Sequence, residues 1–198
     1  MITLYHHPKS RSSRFIFLLE DLEAPYTIKT VTIRRNDGTG AVDSANPHPH
    51  GKVPAISDDG VVVFESPAIV LYLTDRFPKS GLGPLPGDKA RGAYLSWLAY
   101  YGDVLEPAFV SKFMNTPVPR GTPGWVPVEE AMDYIIKTLS EADYLLGDRF
   151  SGVDVLFGTT FGMFGASPLL PKSPLIDAYV KRCLERPAYA RAMAKDDG

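Results

Sequence analysis

Gly51-Lys52-Val53-Pro54-Ala55-Ile56-Ser57-Asp58-Asp59-Gly60-Val61-Val62-Val63-Phe64-Glu65-Ser66-Pro67 is the stretch that decides the fold. Two short runs rich in β-branched residues, Val53 to Ser57 and Val61 to Phe64, flank Asp59-Gly60, a dipeptide suited to the positive φ angles of a tight hairpin. Pro54 stands at the start of the first run, where its absent N–H leaves no ladder bond unmade. Ser66 is the expected N-cap of a helix, with Pro67 at its first helical position. Ile69, Tyr72, Leu73 and Phe77 fall on the inner face of that helix until Pro78 stops it.

Upstream, Ile2 to Tyr5 reads as a strand. Ser10 to Glu23 carries Phe15, Leu18, Leu19 and Leu22 at amphipathic helical spacing, and Tyr26 to Ile33 reads as a second strand. The first 78 residues are therefore β-α-β, a gap, then β-β-α. Residues 79–86 have the composition of a linker, with Gly81, Gly83, Pro84 and Pro86. From 87 to 198 the pattern is helical: Asp88 to Glu106, a kink or end at Pro107 with Ala108 to Asn115 continuing, Val128 to Leu146, a buried Val153 to Ala166, a helix through Ile176, Tyr179, Val180 and Cys183, and a last one opened by Pro187. Asn115 to Pro127, with four prolines and two glycines, is an exposed loop. Ser151 with Asp154 three residues on is a capping-box variant. The Gly158 and Gly162 pair permits close helix packing. The expected class is α/β plus all-α: domain 1–78, linker 79–86, helical domain 87–198.

Composition narrows the function. With 21 Lys and Arg against 23 Asp and Glu, a net charge of −2 gives no footprint for nucleic acid or an anionic membrane. No run of apolar residues is long enough to span a bilayer, and the N-terminus lacks a leader pattern, so a cytoplasmic protein is expected. Cys183 is the one cysteine, which excludes an intrachain disulfide, a CxxC pair and a thiolate zinc site. His48 and His50 have no carboxylate at ligand spacing, and His6 and His7 point to opposite faces of a strand, so no metal is expected. Proline is in excess, 18 in 198 residues. The prolines neither run together nor repeat, so they act mainly as punctuation between elements.

The chemistry-bearing residues lie in the first domain. Pro8-Lys9-Ser10-Arg11-Ser12-Ser13-Arg14 places hydroxyls where free N–H groups and the positive end of a helix favour an anion; capping alone accounts for them equally well. Glu65 and Ser66 put an acid and a hydroxyl at a second helix start. The acid repels an anion there unless it meets an ammonium.

The order and spacing of these features resemble those of the cytosolic glutathione S-transferases, in a bacterial, serine-type, theta-like form. The resemblance rests on the strand-serine-helix start, Asn46-Pro47 before Gly51-Lys52-Val53-Pro54-Ala55-Ile56, Asp59-Gly60 before Phe64-Glu65-Ser66-Pro67-Ala68-Ile69, Tyr94-Leu95-Ser96-Trp97, Ser151-Gly152-Val153-Asp154 and Arg186-Pro187. It implies a thioredoxin-like domain, a helical domain, glutathione as co-substrate, a homodimer and a detoxifying transferase. It further implies a cis bond before Pro54, with Val53 offering its main chain to the cysteinyl part of glutathione. Glu65 and Ser66 hold the γ-glutamyl end, and Lys52, with His50, meets the glycine carboxylate. Ser10 aligns with the sulfur-activating residue, four before Arg14, with Ser12 and Ser13 as close rivals. Cysteine-type chemistry is disfavoured by serine at position 10, and Tyr5 lies too deep in its strand for a tyrosine-type role. Tyr100, Phe109, Phe113 and Met114 are candidates for the electrophile pocket beside the sulfur, or else for core or interface. The expected reaction joins the thiolate to a small hydrophobic electrophile. The alternatives are glutathione-dependent reduction of disulfides or peroxides, and a non-catalytic binding module.

Overall fold

The computed structural model describes residues 1–117, 119–165 and 167–196. They form two compact units: Met1–Ser80 with Arg186–Gly198, and Gly81–Glu185. The last helix thus joins the first unit, whereas the sequence pattern groups it with the other helices.

In the first unit, strands β1 (Ile2–His6), β2 (Tyr26–Thr30), β3 (Ala55–Asp58) and β4 (Val61–Phe64) make one sheet in the order β2-β1-β3-β4. β1 runs parallel to β2, with Leu4 opposite Ile28, and antiparallel to β3, with Leu4 opposite Ile56; β3 is antiparallel to β4. Alternation along β1 buries Ile2, Leu4 and His6 together. The sheet is joined by α1 (Ser13–Asp21) and α2 (Ser66–Arg76). Phe15, Leu18 and Leu19 of α1 and Ile69 and Leu73 of α2 are fully buried. Asp59 and Gly60 take φ angles of 48° and 90°, the hairpin conformation that their chemistry favours.

β2 ends at Thr30, short of the expected Ile33, and three element starts differ from the sequence pattern, each for a local reason. β3 begins at Ala55 and not at Val53, because the Val53-Pro54 bond is cis and Pro54 has no N–H for a ladder. α1 begins at Ser13 and not at Ser10, because the serine hydroxyls ahead of it bond to one another and to the end of β1. α2 is capped by Glu65, leaving Ser66 as its first helical residue.

Helix α8 (Pro187–Asp196) lies on α1. Phe17 meets Tyr189 edge-on at 5.4 Å. Arg186 makes a two-pronged pair with Asp21 at 2.9 and 2.9 Å, and Glu20 accepts from Arg191 and Lys195 at 3.0 and 2.5 Å.

The second unit holds α3 (Arg91–Tyr100), α4 (Glu106–Phe113), α5 (Val128–Glu141), α6 (Gly152–Phe164) and α7 (Pro174–Leu184). Between α3 and α4 a π turn, Tyr101–Leu105, carries the chain into Pro107: the Glu106 N–H reaches back to the Tyr101 carbonyl, one residue beyond α spacing. α6 is buried from Gly152 to Phe161 except for the half-buried Thr159, and its last turn is more open. Its Asp154 carboxylate accepts from the Leu145 and Ser151 N–H groups and from the Ser151 and Tyr179 hydroxyls, all within 3.1 Å. Gly158 lets α7 approach so closely that a Cβ there would stand 2.7 Å from that of Cys183. Ala166, the expected end of α6, and Val118 of the proline-rich loop lie outside the described residues. Among the described residues no helix is long and apolar enough to cross a membrane.

Candidate functional site

Two segments of the first unit carry the expected ligand residues. One is the turn from β1 into α1. Ser12 is fully buried and its Oγ is heavily committed: it lies 2.8 Å from His6 Nδ1 and 2.7 Å from Ser10 Oγ, and accepts the His7 N–H at 3.1 Å. Ser13 Oγ accepts the Ser10 N–H at 3.2 Å. Ser10 is half-buried, and its Oγ accepts the Ser12 N–H at 3.1 Å. Of the three rivals, Ser12 and Ser13 serve the turn, and Ser10 is the most open to solvent. His7 is fixed from both ring nitrogens: Nδ1 meets the Val31 carbonyl at 3.0 Å, and Nε2 accepts from Arg35 at 2.8 Å. Arg35 therefore has a side-chain partner in His7.

The second segment runs from Asn46 to Ser66. Asn46 Nδ2 donates to the Lys52 carbonyl at 2.9 Å, while its Oδ1 accepts the His48 N–H at 3.1 Å. His48 Nδ1 accepts the His50 N–H at 3.1 Å, so its Nε2 carries the hydrogen. That Nε2 stands 4.0 Å from Glu65 Oε1, and the ring packs on Phe64 at 5.2 Å. Burial pushes the His48 pKa down, Glu65 opposes this, and the nearby His50 and Lys52 charges add to it. The loop is a self-bonded unit with His50 and Lys52 on its exposed side. Its exit is Val53, half-buried, whose N–H and C=O take no backbone partner among the described residues.

Glu65 sits at φ 69° and ψ 126°, a sparsely populated conformation for a residue with a Cβ. Such positions persist only where surrounding structure imposes them, and they concentrate at ligand sites. The Glu65 carboxylate is solvent-exposed, while Ser66 is buried at the positive end of α2. An acid beside a helix start that also offers N–H groups suits a ligand carrying both an ammonium and a carboxylate.

The four candidates for an electrophile pocket separate. Phe109 is buried and packs on Phe164 at 5.8 Å. Tyr100 contacts Trp97 and Tyr134, and burial, with Tyr134 and Glu130 nearby, pushes its hydroxyl up to about 12. Phe113 and Met114 are exposed at 70% and 63%. None of the four lines either of two clefts formed by described residues of the helical unit, one of about 230 Å³ beside Trp125 and Val128 and one of about 830 Å³ between α6 and α7. Among the described residues no three His, Cys, Asp or Glu side chains gather around a possible metal.

Sequence patterns overlooked three residues of this region. Asn46 enters the sequence pattern as part of the Asn46-Pro47 match but without a bracing role, although an Asn side chain commonly bonds the backbone two residues on in this way. His6 and Asp196, which meet at His6 Nε2, are 190 positions apart and have no local signal.

Two family models match the chain: "Glutathione S-transferase, N-terminal domain" over residues 1–75 and "Glutathione S-transferase, C-terminal domain" over residues 127–187. The crystal structure of a glutathione transferase from Methylococcus capsulatus is similar at 30% identity and a TM-score of 0.80, covering 100% of this chain and 99% of that one. A sphingomonad glutathione S-transferase complexed with glutathione is similar at 26% identity and a TM-score of 0.78, covering 98% of each chain. Among curated relatives, the disulfide-bond oxidoreductase YfcG of Escherichia coli is 26% identical over 209 residues, covering 98% of this chain and 95% of its own.

Proposed function

The chain belongs to the glutathione S-transferase family, and we propose that it uses Ser10 to hold glutathione as a thiolate and adds that thiolate to small hydrophobic electrophiles. The observation that carries this reading is Val53. It follows a braced loop, precedes a cis proline, and has neither main-chain group bonded to another backbone group among the described residues, which suits a one-rung strand addition by the cysteinyl residue. Glu65 and Ser66 suit the γ-glutamyl ammonium and carboxylate. Lys52 and His50, exposed on the same loop, suit the glycine carboxylate.

Ser10 Oγ lies three residues ahead of α1, where helix N–H groups point outward. A thiol of pKa near 8.5 is only a few per cent ionised at pH 7. A hydrogen bond to the charged sulfur contributes roughly 1.5–3 kcal/mol and the helix end roughly 0.3–1 kcal/mol. At about 1.36 kcal/mol per unit this lowers the thiol pKa by one to three units, which makes most bound glutathione nucleophilic.

The test is saturable glutathione binding with ultraviolet thiolate absorbance near neutral pH. Ser10→Ala should bind glutathione yet lose the absorbance and most turnover with an aryl halide. Absence of binding to the wild type defeats the reading; full activity in Ser10→Ala removes Ser10 from it. A second reading, reduction of small disulfides through the sulfur of glutathione, is favoured by the relative named as an oxidoreductase. Turnover of a disulfide exceeding that of the aryl halide would select it. The same proposal makes the enzyme a homodimer, with Phe113 and Met114 as candidate contacts, checked by light scattering on the wild type and on Phe113→Asp.

A further inference from the structure

Ser10, Ser12, His6 and Asp196 form one continuous hydrogen-bonded chain, and counting its donors fixes its direction. His6 Nε2 faces the Asp196 main-chain carbonyl at 3.1 Å and Asp196 Oδ1 at 3.5 Å. A carbonyl oxygen only accepts, so Nε2 carries a hydrogen. In the neutral ring Nδ1 then holds the lone pair and accepts the one Ser12 proton across 2.8 Å, in preference to the His7 carbonyl at 3.3 Å. With that proton spent, the 2.7 Å contact between Ser12 Oγ and Ser10 Oγ needs the proton of Ser10. Ser10 Oγ thus presents a lone pair outward and no proton. Its resting state suits receipt of a thiol proton, not donation to a thiolate.

We propose that His6 is the store for the proton that glutathione loses, reached through Ser10 and Ser12. The proposal rests on the reading that Ser10 meets the sulfur. The S–H bond breaks as its proton passes to Ser10 Oγ. The original Ser10 proton passes to Ser12 Oγ, and that of Ser12 to His6 Nδ1. One S–H bond is exchanged for one N–H bond, each serine ends neutral, and no electron is transferred. The products are a thiolate and an imidazolium.

The direction of every link is then reversed. His6 Nδ1–H donates to Ser12, Ser12 donates to Ser10, and the Ser10 O–H points at the sulfur. The relay that removes the proton therefore creates the donor that stabilises the thiolate. Asp196 supplies the countercharge: its Oδ1 is buried, has no hydrogen-bond partner among the described residues and lies beside the ring, while Oδ2 accepts the Lys9 N–H at 3.1 Å. His6 itself is 1% exposed, so the stored proton is shielded from solvent. Facing it are Asp196 from α8, Ser12 from the turn before α1, and Thr30 across the ladder from β2. His6 is a positioning residue, since it acts on the ligand only through the two serines.

Calorimetry of glutathione binding in two buffers of different ionisation enthalpy counts protons released, and ultraviolet difference spectra of the same samples report thiolate. Wild type should form the thiolate with no proton released to the buffer, because His6 retains it. His6→Asn leaves an acceptor for the Ser12 hydroxyl near the Nδ1 position but no base. It should bind glutathione within about threefold of wild type, with KM for glutathione little changed and kcat at neutral pH reduced roughly tenfold or more. Its bound thiol pKa should rise by roughly one to two units. Ser12→Ala interrupts the relay with both ends intact and should behave alike. Thiolate formation with a full proton released by wild type overturns the proposal, as does a wild-type thiol pKa in either variant. If His6→Asn does not fold by circular dichroism, the wild-type proton count and Ser12→Ala decide. Failure of wild type to bind glutathione refutes the functional reading before any relay variant is measured, and a thiolate signal surviving Ser10→Ala removes the first link.

Discussion

Glu20 offers a quantitative test of how the last helix is held. Its carboxylate on α1 accepts from Lys195 Nζ at 2.5 Å, the Tyr26 hydroxyl at 2.6 Å and Arg191 Nε at 3.0 Å, and its main-chain carbonyl accepts from Arg191 at 3.1 Å. Burial alone would push the Glu20 carboxyl up, but the bonds from Lys195, Tyr26 and Arg191 outweigh it and lower the pKa from 4.5 to about 2. At about 1.36 kcal/mol per unit, that depression sets a ceiling of roughly 3 kcal/mol. The Arg191 and Lys195 side chains are half-exposed. Solvent screening therefore reduces the expected loss in Glu20→Gln to about 1–2 kcal/mol. The sign follows from the depressed pKa: the contribution is complete above the unfolded value and disappears as pH falls through the folded one. Urea unfolding of wild type and Glu20→Gln should differ by a constant amount above pH 4.5, by progressively less toward pH 2, and by nothing below. A difference that is the same at pH 2 and pH 7 would refute the assignment of this energy to the charged network.

Three further outcomes are expected. Asp154→Ala leaves four donors around α6 without their acceptor and should cost about 3–5 kcal/mol in urea unfolding, far beyond the effect of a simple capping loss. Gly158→Ala places a Cβ 2.8 Å from Cys183 Sγ and should cost about 1–3 kcal/mol in thermal unfolding, with part of the loss recovered when Cys183→Gly is added. Glu65→Gly relieves a φ of 69° and should stabilise the fold by about 1 kcal/mol. The same change should weaken glutathione binding at least roughly tenfold by calorimetry, the pattern expected of strain kept for a ligand.

What the sequence made legible is what neighbouring residues impose on one another. Asp59-Gly60 specifies its turn by backbone chemistry, and the apolar spacing of α1 identifies its buried face without reference to the rest of the chain. The start of β3 was legible only to within two residues, because the cis geometry at Pro54 is not determined by its immediate neighbours. Ser66 has the chemistry of an N-cap, yet Glu65 occupies that position at a φ that nothing in Phe64-Glu65-Ser66 demands. Tyr100, Phe109, Phe113 and Met114 all follow the apolar pattern of a helix, but that pattern cannot distinguish a core ring such as Phe109 from an exposed one such as Phe113. Residues distant in sequence leave no periodic trace at all, and the partners of His6 and Glu20 are of that kind.

The choice among Ser10, Ser12 and Ser13 shows why such distant partners matter. On the local sequence the three are equivalent, each a hydroxyl near a helix start. His6 distinguishes them, and the direction of the hydrogen that His6 offers depends on Asp196. Its ring nitrogen takes the Ser12 proton, and Ser12 in turn takes that of Ser10, so the polarity of the outermost hydroxyl is determined at the far end of the chain. The ion pairs from Arg191 and Lys195 to Glu20 lie on the helix that carries Asp196, and that from Arg186 to Asp21 stands immediately before it. They therefore hold the carboxylate beside His6 as well as stabilising the packing of α8 on α1. In the proposed relay, a helix that contributes no residue expected to touch glutathione thereby governs how Ser10 would present itself to the sulfur.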